Sequence, residues 1–173
     1  MSKFKYRFIG QKFPEFELTG VNADNEFETI NSWDMSDWSV IYFYPKDFTF
    51  ICPTEIEAMD ILLQETNEVF GISPDNEFCK VTWKEANGMI RNIQHTLVAD
   101  CGNVLAEQLG IVSDENVPYR ATYILDPEGF IQHVSVNALD TGRNADEILR
   151  TLRALKAGGL TGCQWEPGDS FVA

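Results

Sequence analysis

Along this chain the hydrophobic positions switch repeatedly between two periods, and the switches predict alternating strands and helices. The run Ser39-Val40-Ile41-Tyr42-Phe43-Tyr44 is short, β-branched and aromatic, and Pro45 closes it, so it predicts a buried central strand. From Thr54 to Phe70 the spacing becomes helical through Ile56, Met59, Leu63 and Phe70, with Ile61 and Leu62 beside them. Val69 to Ser73 then predicts a second strand, so that Phe70 fits either element. Phe78 to Met89 is helical in pattern, Thr96 to Ala99 a short strand and Val104 to Leu109 a short helix. Arg120 to Leu125 and Ile131 to Val136 flank Asp126-Pro127-Glu128-Gly129 and predict a hairpin. Asn144 to Ala157 is patterned as a helix through Ile148, Leu152 and Leu155, and Gly158-Gly159 stops it. Near the start, Phe13, Phe16 and Leu18 predict a short strand, and the turn-rich Val21 to Asn25 leads into Phe27 to Ile30 as an edge hairpin.

A parallel βαβ core followed by an antiparallel hairpin and a last helix is the element order of a thioredoxin-like α/β fold, a central mixed sheet flanked by helices. The 173 residues are read as one domain over residues 1–159, with residues 160–173 forming a short C-terminal arm that carries Cys163, Trp165 and Pro167 and is too irregular for the core. A formal charge of -14 argues against nucleic acid and anionic membrane as partners, both of which reward basic surfaces. The basic start, Met1 to Phe8, is followed by no apolar stretch long enough for a signal peptide, and no 18-residue apolar run occurs, so a cytoplasmic protein is expected. Cysteines at 52, 79, 101 and 163 form no CxxC pair and no disulfide framework, and are expected to matter, where they do, as reactive thiols.

Cys52 stands where the central strand gives way to the helix, and Pro53 is tolerated only in the first turn of that helix. The sulfur is therefore expected near the positive end of a helix, where a thiol loses part of its free pKa of about 8.5. Thr49, three residues upstream, is placed either to hydrogen-bond the thiolate and an incoming oxygen or simply to cap the helix. Efficient attack on a peroxide also needs a cation for the charge on the leaving oxygen. Arg120, opening an apolar strand, supplies a candidate if it is paired, and otherwise reads as a surface residue or a structural ion pair. Glu55 is placed either to orient such an arginine or to interact with the helix dipole. Cys79 and Cys101 read as small core hydrophobes. His95 and His133 are too isolated for a metal cluster, although spacing leaves open a hydrolase-like pairing of either with Cys52. Walker, GxGxxG and GxSxG motifs are absent from the sequence.

The segment Phe43-Tyr44-Pro45-Lys46-Asp47-Phe48-Thr49-Phe50-Ile51-Cys52-Pro53-Thr54-Glu55 resembles the active-site signature of typical 2-Cys peroxiredoxins, the family of the bacterial alkyl hydroperoxide reductase C subunit. The similarity extends through Ser73-Pro74-Asp75, Trp83, Arg120, Asp126-Pro127-Glu128-Gly129 and Gly142-Arg143-Asn144. The resemblance implies that Cys52 is the peroxidatic cysteine, shielded by Pro45, with Thr49 binding the peroxide, Arg120 stabilising the thiolate and transition state, and Glu55 holding the arginine. It implies reduction of hydrogen peroxide and organic hydroperoxides through a Cys52 sulfenic acid, then a disulfide that a dithiol reductase reopens, with no metal, flavin or nucleotide cofactor. That reductase would be thioredoxin, a flavoprotein or the small dithiol protein that serves the mycobacterial type.

The arm departs from the common pattern, because Thr161 occupies the usual place of the resolving cysteine. Cys163, two residues before Trp165, matches the second cysteine of the Cys-x-Cys arm of the mycobacterial type and is the first candidate to resolve the sulfenic acid of a partner subunit, with Cys79 in reserve. The resemblance thereby implies a homodimer or a ring of dimers. Ending at Phe171-Val172-Ala173, without the Tyr-Phe helix of easily overoxidised relatives, the chain is expected to resist hyperoxidation. A redox sensor or holdase chaperone on the same fold is the competing reading, and turnover with a dithiol reductase separates the two.

Overall fold

The computed structural model describes residues 8–173, so the basic N-terminal run lies outside the described residues up to Arg7. Strands β1 (Glu17–Val21), β2 (Phe27–Asn31), β3 (Ser39–Phe43), β4 (Glu68–Ser73), β5 (Thr96–Ala99), β6 (Arg120–Leu125) and β7 (Ile131–Asn137) form one sheet in the order β2-β1-β5-β4-β3-β6-β7. The β3–β4 and β4–β5 pairs are parallel and the remaining pairs antiparallel, which makes the sheet mixed, as expected. Four helices cover it: α1 (Cys52–Met59), α2 (Glu77–Ala86), α3 (Val104–Leu109) and α4 (Ala145–Ala157).

Strand β3 is buried along its whole length, and its alternation feeds a separate core on each face of the sheet. Val40, Tyr42 and Tyr44 point into one core with Cys52, Ile56, Met59, Trp83, Leu149 and Leu152. Ile41 and Phe43 point into the other with Phe13, Phe16, Leu105, Leu109 and Tyr123. The N-terminal Phe13 and Phe16 precede β1 and pack beneath the sheet as an edge-to-face aromatic pair rather than lying within a strand.

The helix expected over Thr54 to Phe70 is shorter than its pattern. It begins at Cys52, ends at Met59 and continues as a 3-10 turn over Asp60–Gln64, after which Phe70 belongs to β4. Hydrogen bonds to residues distant in sequence account for the early stop. The Asp60 carboxylate turns away to accept from the backbone N–H groups of Gln94 and His95, and the Thr66 hydroxyl donates to the Trp38 carbonyl, which leads the chain into its pairing with β3. Helix α4 matches expectation: the Asn144 side chain caps the Glu147 N–H at 3.1 Å, and Gly158 ends it with a φ of 71°.

The arm is less irregular than its sequence implies. Trp165 is 7% exposed, stacks on Phe171 with ring centroids 6.1 Å apart, and accepts a hydrogen bond at its carbonyl from Arg150 of α4 at 3.0 Å. Gly159 makes this possible, because a Cβ there would lie 2.5 Å from the Phe171 ring. Gly71 of β4 plays the same part in the core, where a Cβ would lie 2.4 Å from the Tyr42 hydroxyl. Neither the rigid ring nor the paired strand can give way, so Gly71→Ala is expected to lower the unfolding free energy by about 1–3 kcal/mol, read as a lower urea midpoint with an unchanged slope.

Candidate active site

The loop of residues 44–51 leaves the C-terminal end of β3 and delivers Cys52 as the first residue of α1, with Pro53 in its first turn. Cys52 is fully buried in the core beneath this loop. Because β6 runs antiparallel to β3, with Tyr42 opposite Thr122, the start of β6 meets the end of β3. Arg120 is thereby brought to the sulfur, and its Nη1 lies 3.3 Å from Cys52 Sγ. The same nitrogen donates to Glu55 Oε2 at 2.6 Å, while its Nε donates to the Leu139 carbonyl at 2.7 Å. Burial opposes the guanidinium charge, but the hydrogen bonds and charges of Cys52 and Glu55 outweigh it and raise the Arg120 pKa above its ordinary value.

Glu55, one turn into α1, holds a second guanidinium as well. Arg143 donates from its backbone N–H and its Nε to Glu55 Oε1, both at 3.1 Å, and from Nη2 to Oε2 at 3.3 Å. Its remaining donors go to the carbonyls of Phe43 and Ala121 and to the Thr122 hydroxyl, and its guanidinium lies 4.9 Å from the Tyr42 ring centroid. All three charged side chains are under 5% exposed. Two cations and one carboxylate leave one positive charge over, and the Cys52 sulfur is where a balancing anion fits.

Tyr42 extends the cluster away from the sulfur. Its hydroxyl lies 2.6 Å from His95 Nε2, and His95 Nδ1 lies 2.5 Å from Asp60 Oδ1. Both imidazole nitrogens are thus occupied, which excludes a Cys52–His95 pair, and His133 stands apart on β7, where burial lowers its pKa against the opposing charge of Glu147. Burial pushes the Asp60 carboxyl up, but the His95 hydrogen bond and charge and the backbone donors of residues 94 and 95 carry it below its ordinary value.

Three of the sequence-predicted residues, Cys52, Arg120 and Glu55, are buried in contact, and Pro45 is buried at the start of the loop that leads to Cys52. Thr49 is half-buried in the same loop, but its hydroxyl does not cap α1: it donates to the Lys46 carbonyl at 2.8 Å, and the capping position is Ile51. With its hydrogen so committed, Thr49 offers lone pairs and would accept from a peroxide O–H. Cys163 is exposed on the arm and Cys79 half-buried on α2, and all four cysteines are free thiols. Burial, followed by the charges of Asp47 and Asp75, pushes the Cys79 thiol up to about 11. Arg143 was not among the residues that spacing or composition marked, since it stands alone between Gly142 and the cap Asn144 with no periodic pattern. A cleft of 440 Å³ lined by Lys12, Ser39, Asp126 and Gly129 lies at the opposite end of β3 and contains none of these residues.

Comparison with known proteins gives this arrangement a family. The model of the AhpC/TSA family matches residues 9–134. Alkyl hydroperoxide reductase C of Mycolicibacterium smegmatis is 38% identical, over 95% of this chain and 92% of that protein. The reduced crystal structure of Plasmodium vivax 2-Cys peroxiredoxin superposes with a TM-score of 0.88 at 34% identity, covering 94% of this chain and 91% of that one. Mycobacterium tuberculosis AhpC does so with a TM-score of 0.80 at 34% identity, over 87% and 99% of the respective chains. The chain belongs to the AhpC/TSA family, and its thioredoxin-like fold is that of the peroxiredoxins.

The lowered Asp60 pKa makes a stability prediction with a definite sign. An aspartate titrates near pH 3.9 when unfolded, so a depressed folded value contributes stability that is present above that pH and lost as the pH falls through the folded value. Asp60→Asn is therefore expected to be less stable than wild type at pH 7, with the gap between their urea midpoints closing below about pH 4.

Proposed function

We propose that Cys52 is the attacking thiol of this peroxidase and that Cys163 resolves it. That the chain is a thiol-dependent peroxidase follows from its family. The observation that carries the residue assignment is the Arg120 Nη1 contact with Cys52 Sγ at 3.3 Å inside the Glu55-centred cluster. The Cys52 thiolate attacks the terminal oxygen of a hydroperoxide, the O–O bond breaks, and the departing oxygen takes a proton to leave as water or an alcohol. Cys52 becomes a sulfenic acid. Arg120 faces the charge that develops on the oxygens, Thr49 accepts the peroxide O–H, and Pro45 helps to keep water from the sulfur. Glu55 and Arg143 hold Arg120 in position.

Two features favour Cys163 over Cys79 in the second step. Cys163 is exposed on a segment held mainly by Trp165 and Phe171, whereas the Cys79 thiol, pushed up to about 11, is a poor nucleophile near neutrality. Relatives named 2-Cys peroxiredoxin and alkyl hydroperoxide reductase C support hydrogen peroxide and organic hydroperoxides as substrates, reduction by an external dithiol protein, and assembly as a homodimer or larger ring. The reading treats residues 160–173 as an arm that serves a partner subunit, and places the protein in the cytoplasm, where free thiols persist. Among the described residues, no helix is long and apolar enough to cross a membrane.

One equivalent of peroxide followed by non-reducing peptide mapping tests the assignment. Wild type is expected to yield a Cys52–Cys163 disulfide, Cys163→Ser a Cys52 sulfenic or sulfinic acid with turnover lost, and Cys79→Ser the wild-type pattern. A Cys52–Cys79 link in wild type would remove Cys163 from the cycle.

A further inference from the structure

The loop that carries Cys52 is anchored at one end only. Its first half is fixed by Asp47, whose backbone N–H donates to Asp75 Oδ2 at 2.7 Å and whose Oδ1 accepts from the Tyr44 hydroxyl at 2.8 Å and from Ser73 Oγ at 2.9 Å. The charge on that carboxylate is met by Lys80 of α2, with Nζ 3.3 Å from Oδ1 and 3.4 Å from Oδ2. Lys80 Nζ also donates to Ser73 Oγ at 2.5 Å and to the Tyr44 hydroxyl at 3.2 Å, so its three N–H groups have partners. Both side chains of the ion pair are 0% exposed. The second half of the loop has no comparable anchor. Phe48 takes a φ of 56°, unusual for a bulky residue, and is 54% exposed, while Phe50 is 95% exposed.

This asymmetry bears on the redox cycle. Cys52 is fully buried and Cys163 is exposed on the arm, so their condensation requires the loop and the first turn of α1 to open. Until then the Cys52 sulfenic acid stays beside Arg120, where a second peroxide can oxidise it. Resting on the assignment of Cys52 as the attacking thiol, we propose that Lys80 is a positioning residue that acts through Asp47: by neutralising that carboxylate it holds the loop closed, and so sets the division of oxidised Cys52 between disulfide and sulfinic acid. In the first branch the sulfenic acid and a thiol form an S–S bond and release water. In the second, another hydroperoxide gives one oxygen to the sulfur and leaves as water or alcohol.

Removing the lysine alone leaves an unpaired carboxylate in the core, which water can satisfy only if the loop opens. Removing both charges takes away that drive. Lys80→Met is therefore expected to raise the disulfide to sulfinic acid ratio about tenfold at a fixed excess of peroxide, quantified by mass spectrometry, and Lys80→Met/Asp47→Asn to bring it back toward wild type. The rate of the first oxidation, followed separately by intrinsic fluorescence, normalises the ratio, and the urea midpoint registers general loss of stability, which would not be reversed by the second charge removal. Should Lys80→Met not fold, Lys80→Gln is read in its place, with the same increase expected. An unchanged ratio in the lysine variant, or a change that the double variant does not reverse, overturns the role of Lys80. Failure of wild-type Cys52 to form a sulfenic acid at all would instead overturn the assignment of the attacking thiol.

Discussion

The charge balance around Cys52 depends on one buried carboxylate. Glu55 accepts from Arg120 on one oxygen and from Arg143 on both, and without it two guanidiniums would face each other in a core that excludes water. Because Glu55 cancels only one of the two charges, the cluster keeps a net positive charge and directs it at Cys52 through Arg120. A buried ion pair of this kind contributes little net stability against a hydrophobic replacement, so its value lies in orientation. Arg120 is held by Glu55 and by the Leu139 carbonyl, and its position relative to the sulfur is set before any peroxide arrives.

The fold makes this geometry a consequence of strand direction. Strand β3 ends at the active-site loop, and β6, antiparallel beside it, begins there with Arg120. Thiol and arginine, 68 residues apart in sequence, meet because one strand finishes where its neighbour starts. Arg143 closes the arrangement from the segment before α4, bonding to the carbonyl of Phe43 on β3 and that of Ala121 on β6. It joins the two strands to the helix that begins with Cys52. Tyr42 beneath it depends in turn on Gly71, the only residue type that leaves room for the phenol at that point on β4.

What the sequence made legible follows the strength of each local signal. Strand β5 and helix α3 have the bounds that pattern predicted, and β6 and β7 form the expected hairpin, because their apolar runs are bounded by turn chemistry. The pattern from Thr54 overstates the helix because Ile61, Leu62 and Leu63 continue an apolar pattern that a 3-10 turn also satisfies, and Asp60 ends the α-helix through bonds to residues 94 and 95 that no local window contains. Cys52, Arg120 and Glu55 were legible through a strand-to-helix junction and charges in apolar surroundings. The roles of Arg143 and Asp47, although both lie in segments that carry the resemblance, and of Lys80 were not legible, since each owes its burial to partners far along the chain. Lys80 and Lys84 did leave a trace, two lysines flanking Trp83 on the buried face of α2, which is a pattern that only buried acceptors can make tolerable.

A thiol peroxidase of this design must meet two opposed requirements with one loop. In the proposed cycle, reaction with peroxide needs the Cys52 sulfur enclosed, with Arg120 fixed against it; reaction with a second thiol needs the same sulfur brought out. A loop rigid along its whole length would serve only the first, and one loose along its whole length only the second. Here the polar anchor lies before Phe48, while Phe48, which packs on Trp83, is exposed and residues 49–51 are half-buried or exposed. In the proposed role of Lys80, the Asp47–Lys80 anchor restrains how far this loop and the first turn of α1 can open, while the sheet behind them stays in place. Opening costs the Arg120–Cys52 hydrogen bond and the burial of Cys52 in the core beneath the loop. A polar anchor before Phe48 and looser contacts after it would let the proposed nucleophile be both well held and recoverable.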